Sequence, residues 1–191
     1  MDTVLVKCPN GAYQNVPNIS NISNDKPSVS NNLLGKWGYC PNGVEPDPIN
    51  RVNRNGSNIS VLHLNAQSIR SKKSEFINLL DKYHPTIAVL TEHWLSKEEI
   101  GNFVVPNYVI VTEFCRTVSK HGGAAILVRK DLEQYCAPLE PVTKMSVESE
   151  IEMCAINVKI GDGYKVNVIG IYKPPSTKIS VFWTICKNYF S

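Results

Sequence analysis

The sequence predicts an α/β domain built on a mixed sheet and preceded by a flexible polar leader. Three observations carry that reading. Residues 59–64 and 86–91 are short β-rich runs that are almost wholly apolar, as in strands covered on both faces. A helical apolar stripe lies between them. Beyond residue 107 the pattern turns strand-rich and alternating, so the sheet mixes parallel and antiparallel neighbours.

Taken in order, residues 1–57 hold six of the 12 prolines and 11 asparagines, with no sustained period of 2.0 or 3.6. Such a segment buries no continuous face against its ordering entropy, which predicts a leader at 1–57 and a domain at 58–191. Cys8-Pro9-Asn10-Gly11 recurs as Cys40-Pro41-Asn42-Gly43, and both read as turns. After the first strand, Ser71 or Ser74 can cap a helix in which Phe76, Leu79, Leu80 and Tyr83 share one face. Pro85 ends it. Strand, helix and strand within about 33 residues is a βαβ crossover with parallel strands.

Further strands are predicted at 108–112, 124–128, 147–160 and 164–172, the last two joined as a hairpin by Gly161-Asp162-Gly163. Ser180 can cap a terminal helix with a broad apolar face formed by Phe182, Trp183, Ile185, Cys186, Tyr189 and Phe190.

Composition excludes several functions. The chain has 191 residues, 20 Lys and Arg against 17 Asp and Glu, a net charge of +3 and a pI near 8.5, too mild to name nucleic acid by charge. No stretch approaches the ~18 apolar residues of a membrane span, and the start lacks a signal-peptide layout. The expectation is a nuclear or cytoplasmic protein, not secreted and without a membrane partner. The six cysteines show no Cys-x-x-Cys and no zinc-ligand spacing, so buried or idle thiols are expected.

Reactive groups in α/β sheets stand where rigid strands meet accessible loops. Asn65 and Glu92 follow the two core strands, and Tyr172 closes the final strand before Pro174-Pro175. A carboxylate ending a buried strand is costly unless solvated, paired or bound to a cation, which makes Glu92 a candidate hard-metal ligand. Arg70, Lys72 and Lys73 near the Asn65 loop, and Lys173 beside Tyr172, are candidate phosphate contacts. His63 and His84 read as strand and helix-end residues, and His93 as a neighbour of the Glu92 site. Trp94 and Trp183 read as packing anchors.

Four blocks, LHLNAQSI at 62–69, IAVLTEHWL at 87–95, HGGAAI at 121–126 and GIYKPPS at 170–176, resemble successive motifs of one family. That family is the endonuclease/exonuclease/phosphatase superfamily, specifically the apurinic-type endonuclease domain of non-long-terminal-repeat retrotransposons. The resemblance implies the first half of a four-layer α/β/β/α sandwich and a Mg²⁺- or Mn²⁺-dependent nuclease that nicks target DNA. It implies that Glu92 holds the metal, that Asn65 helps orient metal or phosphate, and that Tyr172 hydrogen-bonds the scissile phosphate.

The family pattern continues with a Gly-Asp-Phe-Asn-like strand and a Ser-Asp-His-like end, and neither is found here. The expectation is therefore a truncated chain, inactive by itself, whose first sheet leaves its inner face open to a protein partner. The alternatives are a non-catalytic interaction module or a phosphodiesterase or phosphatase acting on a smaller phosphate ester.

Overall fold

The computed structural model describes residues 2–7, 13–16, 59–160, 164–177 and 180. Strand β3 (Val61–Asn65), helix α1 (Lys73–Tyr83) and strand β4 (Ile87–Thr91) form the expected crossover, with β3 parallel to β4. β4 then pairs antiparallel with β6 (Ala124–Arg129), and β6 with β5 (Tyr108–Phe114), giving a mixed sheet in the order β3-β4-β6-β5. Every residue of β4 is buried, as its unbroken apolar run requires.

Phe76 and Leu80 of α1 are buried on the outer face of this sheet with Leu62, Leu64, Ala88, Leu90 and Leu127. Fully burying one such side chain contributes about 1.5–3 kcal/mol. Neither Ser71 nor Ser74 caps α1: Lys72 stands at the cap position with no side-chain cap bond, and Ser74 lies within the helix. At the other end His84 adopts a left-handed conformation and donates its N–H to Leu80 O, so the chain leaves the helix just before Pro85.

A second, wholly antiparallel sheet has the order β2-β1-β9-β8-β7. It comprises β1 (Asp2–Lys7), β2 (Tyr13–Val16), β7 (Cys136–Pro138), β8 (Glu152–Ile160) and β9 (Tyr164–Tyr172). The predicted β8–β9 hairpin is present, although its turn lies outside the described residues. β8 starts at Glu152 rather than Val147, because Val147 and Ile151 close a tight turn in which Ser149 has φ 65°.

Two expectations are corrected. The inner face of the mixed sheet is not open: Val61, Ile87, Val89, Ile126 and Val128 pack against Cys154, Ile156, Val158 and Val168 of the antiparallel sheet. The approach is close enough that a Cβ on Gly170 would stand 2.6 Å from Val89 Cγ1. The need for a protein partner over that face falls with it.

The leader is not uniformly irregular either. β1 and β2 pair with each other, and β1 pairs antiparallel with β9 from Asp2↔Tyr172 to Lys7↔Asn167. An edge of the second sheet supplies the hydrogen-bond ladder that so short an apolar run could not form by itself. The rest of the leader, both Cys-Pro-Asn-Gly turns and the helix expected after Ser180 lie outside the described residues.

Three short helical elements went unpredicted. α2 (Lys97–Gly101) opens on a capping box: Ser96 Oγ accepts from Glu99 N, and the Glu99 carboxylate accepts from Ser96 N. A 3₁₀ helix (Lys130–Tyr135) follows β6. α3 (Glu140–Thr143) lies beside β8, where Val142 packs with Ile151, Met153, Ile169 and Ile171. No helix among the described residues is long and apolar enough to cross a membrane.

Candidate active site

Because β3 and β4 are parallel and in register, with Asn65 opposite Thr91, their C-terminal ends lie side by side. The loops that leave them are zipped together. Ala66 N donates to Thr91 O at 2.8 Å, Ser68 N to Glu92 O at 3.0 Å and Ile69 N to His93 O at 3.2 Å. Four non-glycine residues here hold positive φ: Gln67 at 42°, Ser68 at 77°, Glu92 at 52° and Trp94 at 58°. Such conformations persist only where the surroundings over-determine them, and they cluster at functional loops.

Asn65 and Glu92, 27 residues apart, are in contact: Asn65 Nδ2 donates to Glu92 Oε1 at 3.0 Å. Asn65 Oδ1 accepts from Gln67 N at 3.2 Å, which fixes which way the amide faces. The amide therefore orients the carboxylate and turns its nitrogen, not its oxygen, toward Glu92. Glu92 itself is half-buried.

Directly after Glu92, His93 is fully buried, and its ring is held at both nitrogens. Nδ1 accepts from Leu95 N at 3.0 Å, leaving Nε2 to donate to Phe114 O at 3.1 Å. Burial pushes its pKa down to about 4 against the raising effect of the Phe114 carbonyl. A neutral imidazole with both nitrogens engaged is a strut beneath Glu92 and no base.

The ring packs against Gly123, where a Cβ would come 2.4 Å from Nε2 and φ is +88°. That contact explains the glycine of the HGGAAI block. Of the other histidines, buried His63 has Nε2 3.4 Å from Thr91 Oγ1, and His121 stacks on Trp94 with centroids 4.1 Å apart.

Tyr172 lies in the second sheet, two residues beyond Gly170, which packs against Val89 of β4. It is the last residue of β9, it is buried, and it stands opposite Glu152 at the start of β8. Glu152 is 0% exposed, and its carboxylate bridges the sheets. Oε1 accepts from Arg116 Nε at 2.5 Å and Ser149 N at 3.2 Å, and Oε2 accepts from Gly123 N at 2.5 Å. The Arg116 guanidinium also lies 6.0 Å from the Tyr172 ring centroid. The structure thus joins Asn65 to Glu92 directly and links Tyr172 to them through Glu152, Gly123 and His93.

The expected phosphate-contacting cations have partners within the chain. Arg70 makes a bidentate pair with Glu99, at 2.7 and 2.6 Å. Lys72 Nζ donates to Ala66 O at 2.6 Å, bracing the Asn65 loop. Lys73 Nζ sits 5.0 Å over the Phe103 ring, and Lys173 Nζ donates to Pro174 O and Thr177 O. Arg116 and Glu152 are the residues that sequence reasoning missed. Only Gly122-Gly123 hinted at them, since a Cβ on Gly122 would stand 2.2 Å from Arg116 Nε.

As a metal site this donor set is spare. No group of three or more His, Cys, Asp or Glu side chains suited to a metal occurs among the described residues. Mg²⁺ nevertheless binds through one or two carboxylates while keeping waters and substrate phosphate, and a single oriented carboxylate at an accessible strand end fits that habit. Cys115, Cys136 and Cys154 are free thiols. Burial pushes the first two up to about 11 and the third higher still, in keeping with idle cysteines. No known family model and no curated protein matches this chain.

Proposed function

We propose that the chain carries a divalent-metal site for phosphodiester chemistry on DNA, as in the endonuclease/exonuclease/phosphatase superfamily, with its two packed sheets forming the centre of an α/β/β/α sandwich. The observation that carries the reading is the Asn65–Glu92 contact at paired strand ends, on a backbone held in left-handed conformations. Second in weight is the link from Tyr172 through Glu152 to Gly123, immediately before the strand that pairs with β4.

In this reading Glu92 binds Mg²⁺ or Mn²⁺, and Asn65 holds the carboxylate in the orientation that binding needs. The ion, when bound, polarises a phosphoryl oxygen and offsets charge on the leaving oxygen. The Tyr172 phenol donates to a non-bridging phosphate oxygen. His93 is committed to the backbone at both ring nitrogens and supplies no general base. Acid–base assistance contributes about 10²–10⁴ in rate, and with His93 committed to the backbone this reading expects slow turnover alongside metal and phosphate binding.

The test combines Mn²⁺ binding, read by water-proton relaxation, with nicking of supercoiled plasmid in Mg²⁺ or Mn²⁺. Mn²⁺ binding that is lost in Glu92→Ala, with at most slow nicking that vanishes in the same variant, supports the reading. Wild-type protein that binds no Mn²⁺ overturns it. Cleavage of a small aryl phosphodiester with plasmid DNA left intact would move the substrate to smaller esters on the same site.

A further inference from the structure

Burying a carboxylate completely is costly unless its partners are well placed, and an ion pair so buried sets geometry more reliably than it adds stability. Glu152 is such a group: 0% exposed, with Arg116, Ser149 and Gly123 all donating to it. Its place is informative. In an antiparallel pair, directly opposed residues project from the same face, and Glu152 opposes Tyr172.

That face turns toward the mixed sheet, since Cys154 and Val168, in step with Glu152 and Tyr172, line the core between the sheets. Arg116 follows β5 of the mixed sheet and spans the gap. Its Nε meets Glu152, its Nη1 donates to Ser119 Oγ at 2.8 Å, and its guanidinium lies 6.0 Å from the Tyr172 centroid. Gly122, with φ +120°, leaves the room the guanidinium occupies.

A latch between the sheets requires only the Glu152–Gly123 bond. The planar cation set against the Tyr172 ring is the additional element, and cation–ring contact at this distance favours one ring position over others. We propose that Arg116, paired with Glu152, is a positioning residue that holds Tyr172 at the rim where phosphate is bound. This rests on the function proposed above for Tyr172, and Arg116 itself touches no substrate.

The experiment uses the full chain labelled with 3-fluorotyrosine, with the Tyr172 resonance assigned by its loss in Tyr172→Phe. Arg116→Gln is expected to move that ¹⁹F resonance, Arg116→Lys to restore part of the shift, and a destabilising substitution on the far side of the mixed sheet, Phe76→Ala, to leave it in place. In parallel, Mg²⁺-dependent affinity for a short DNA duplex is read by anisotropy. Tyr172→Phe and Arg116→Gln each weaken it about tenfold, the scale of one hydrogen bond to a charged group, and the double variant weakens it no further.

An unmoved resonance in folded Arg116→Gln overturns the proposal. If that variant does not fold, Arg116→Lys is read in its place, and its unmoved resonance is equally decisive. Additive losses in the double variant also overturn it, because Arg116 would then act on DNA independently of Tyr172. A moved and partly restored resonance without DNA binding in any form supports the positioning role while overturning the nuclease reading.

Discussion

Asn65 donates its side-chain amide to Glu92 at 3.0 Å across 27 residues of sequence, and it does so because the parallel pairing of β3 and β4 brings two strand ends together. Asn65→Ala therefore leaves the carboxylate in place but unoriented. Removing such a supporting partner typically costs 10–100-fold in metal affinity. Mn²⁺ titration should show Glu92→Ala without binding and Asn65→Ala weakened about tenfold; equal affinity in Asn65→Ala and wild type would refute the orienting role.

Glu92 holds φ at 52°, where a side chain costs roughly 1–2 kcal/mol and glycine costs nothing. Glu92→Ala and Glu92→Gly both delete the carboxylate, so their difference isolates the backbone. The glycine variant should be the more stable by about 1 kcal/mol in urea unfolding, even though both lose the metal. The reverse order would mean that Glu92 is not held in the left-handed region.

Gly123 cannot carry a side chain without meeting His93 at 2.4 Å, and its φ of +88° adds strain. Gly123→Ala is expected to lose about 3 kcal/mol or more. Pairing it with His93→Ala should recover part of that loss, because the clash disappears while the φ strain remains. Full additivity in chemical denaturation would show that the two do not collide.

The same histidine makes stability depend on pH. Its folded pKa is about 4, whereas the unfolded imidazole titrates near 6.5, so between those values the unfolded chain binds more protons. The stabilisation from the neutral ring is complete above about 6.5 and is lost as pH falls toward 4, amounting to about 3 kcal/mol. Urea midpoints in EDTA from pH 7 to 4 should fall for wild type and much less for His93→Gln. Parallel slopes would place the effect elsewhere.

Lys72 braces Ala66 O at 2.6 Å, which makes it a loop residue before it is a phosphate contact. In Lys72→Gln, amide exchange in residues 66–69 should quicken and Mn²⁺ affinity should drop. The slope of log affinity for DNA against log salt should stay unchanged, whereas loss of one phosphate contact would lower it by about 0.9.

The β-rich runs, the crossover and the β8–β9 hairpin were legible because local periodicity records how many faces of an element are covered, and a strand run ends where polar side chains begin. Asn65, Glu92 and Tyr172 could be named for that reason. The leader hairpin was not legible: β1 is only six residues long, and its ladder is completed by β9, more than 150 positions away. The capping box at Ser96 and Glu99 was readable in its spacing and was overlooked.

By itself the sequence determined the strands of the mixed sheet and the β8–β9 hairpin, which face of α1 is apolar and which polar residues stand at those strand ends, since each follows from the order of side chains along a few turns or pleats. Only the tertiary structure decided that the second sheet covers the first, that Arg70, Lys72, Lys73 and Lys173 are engaged within the chain, and that Arg116 reaches Glu152 across 36 residues. Those outcomes depend on strand register and sheet packing. Register and packing minimise the energy of the whole chain at once, so no short window of residues encodes them.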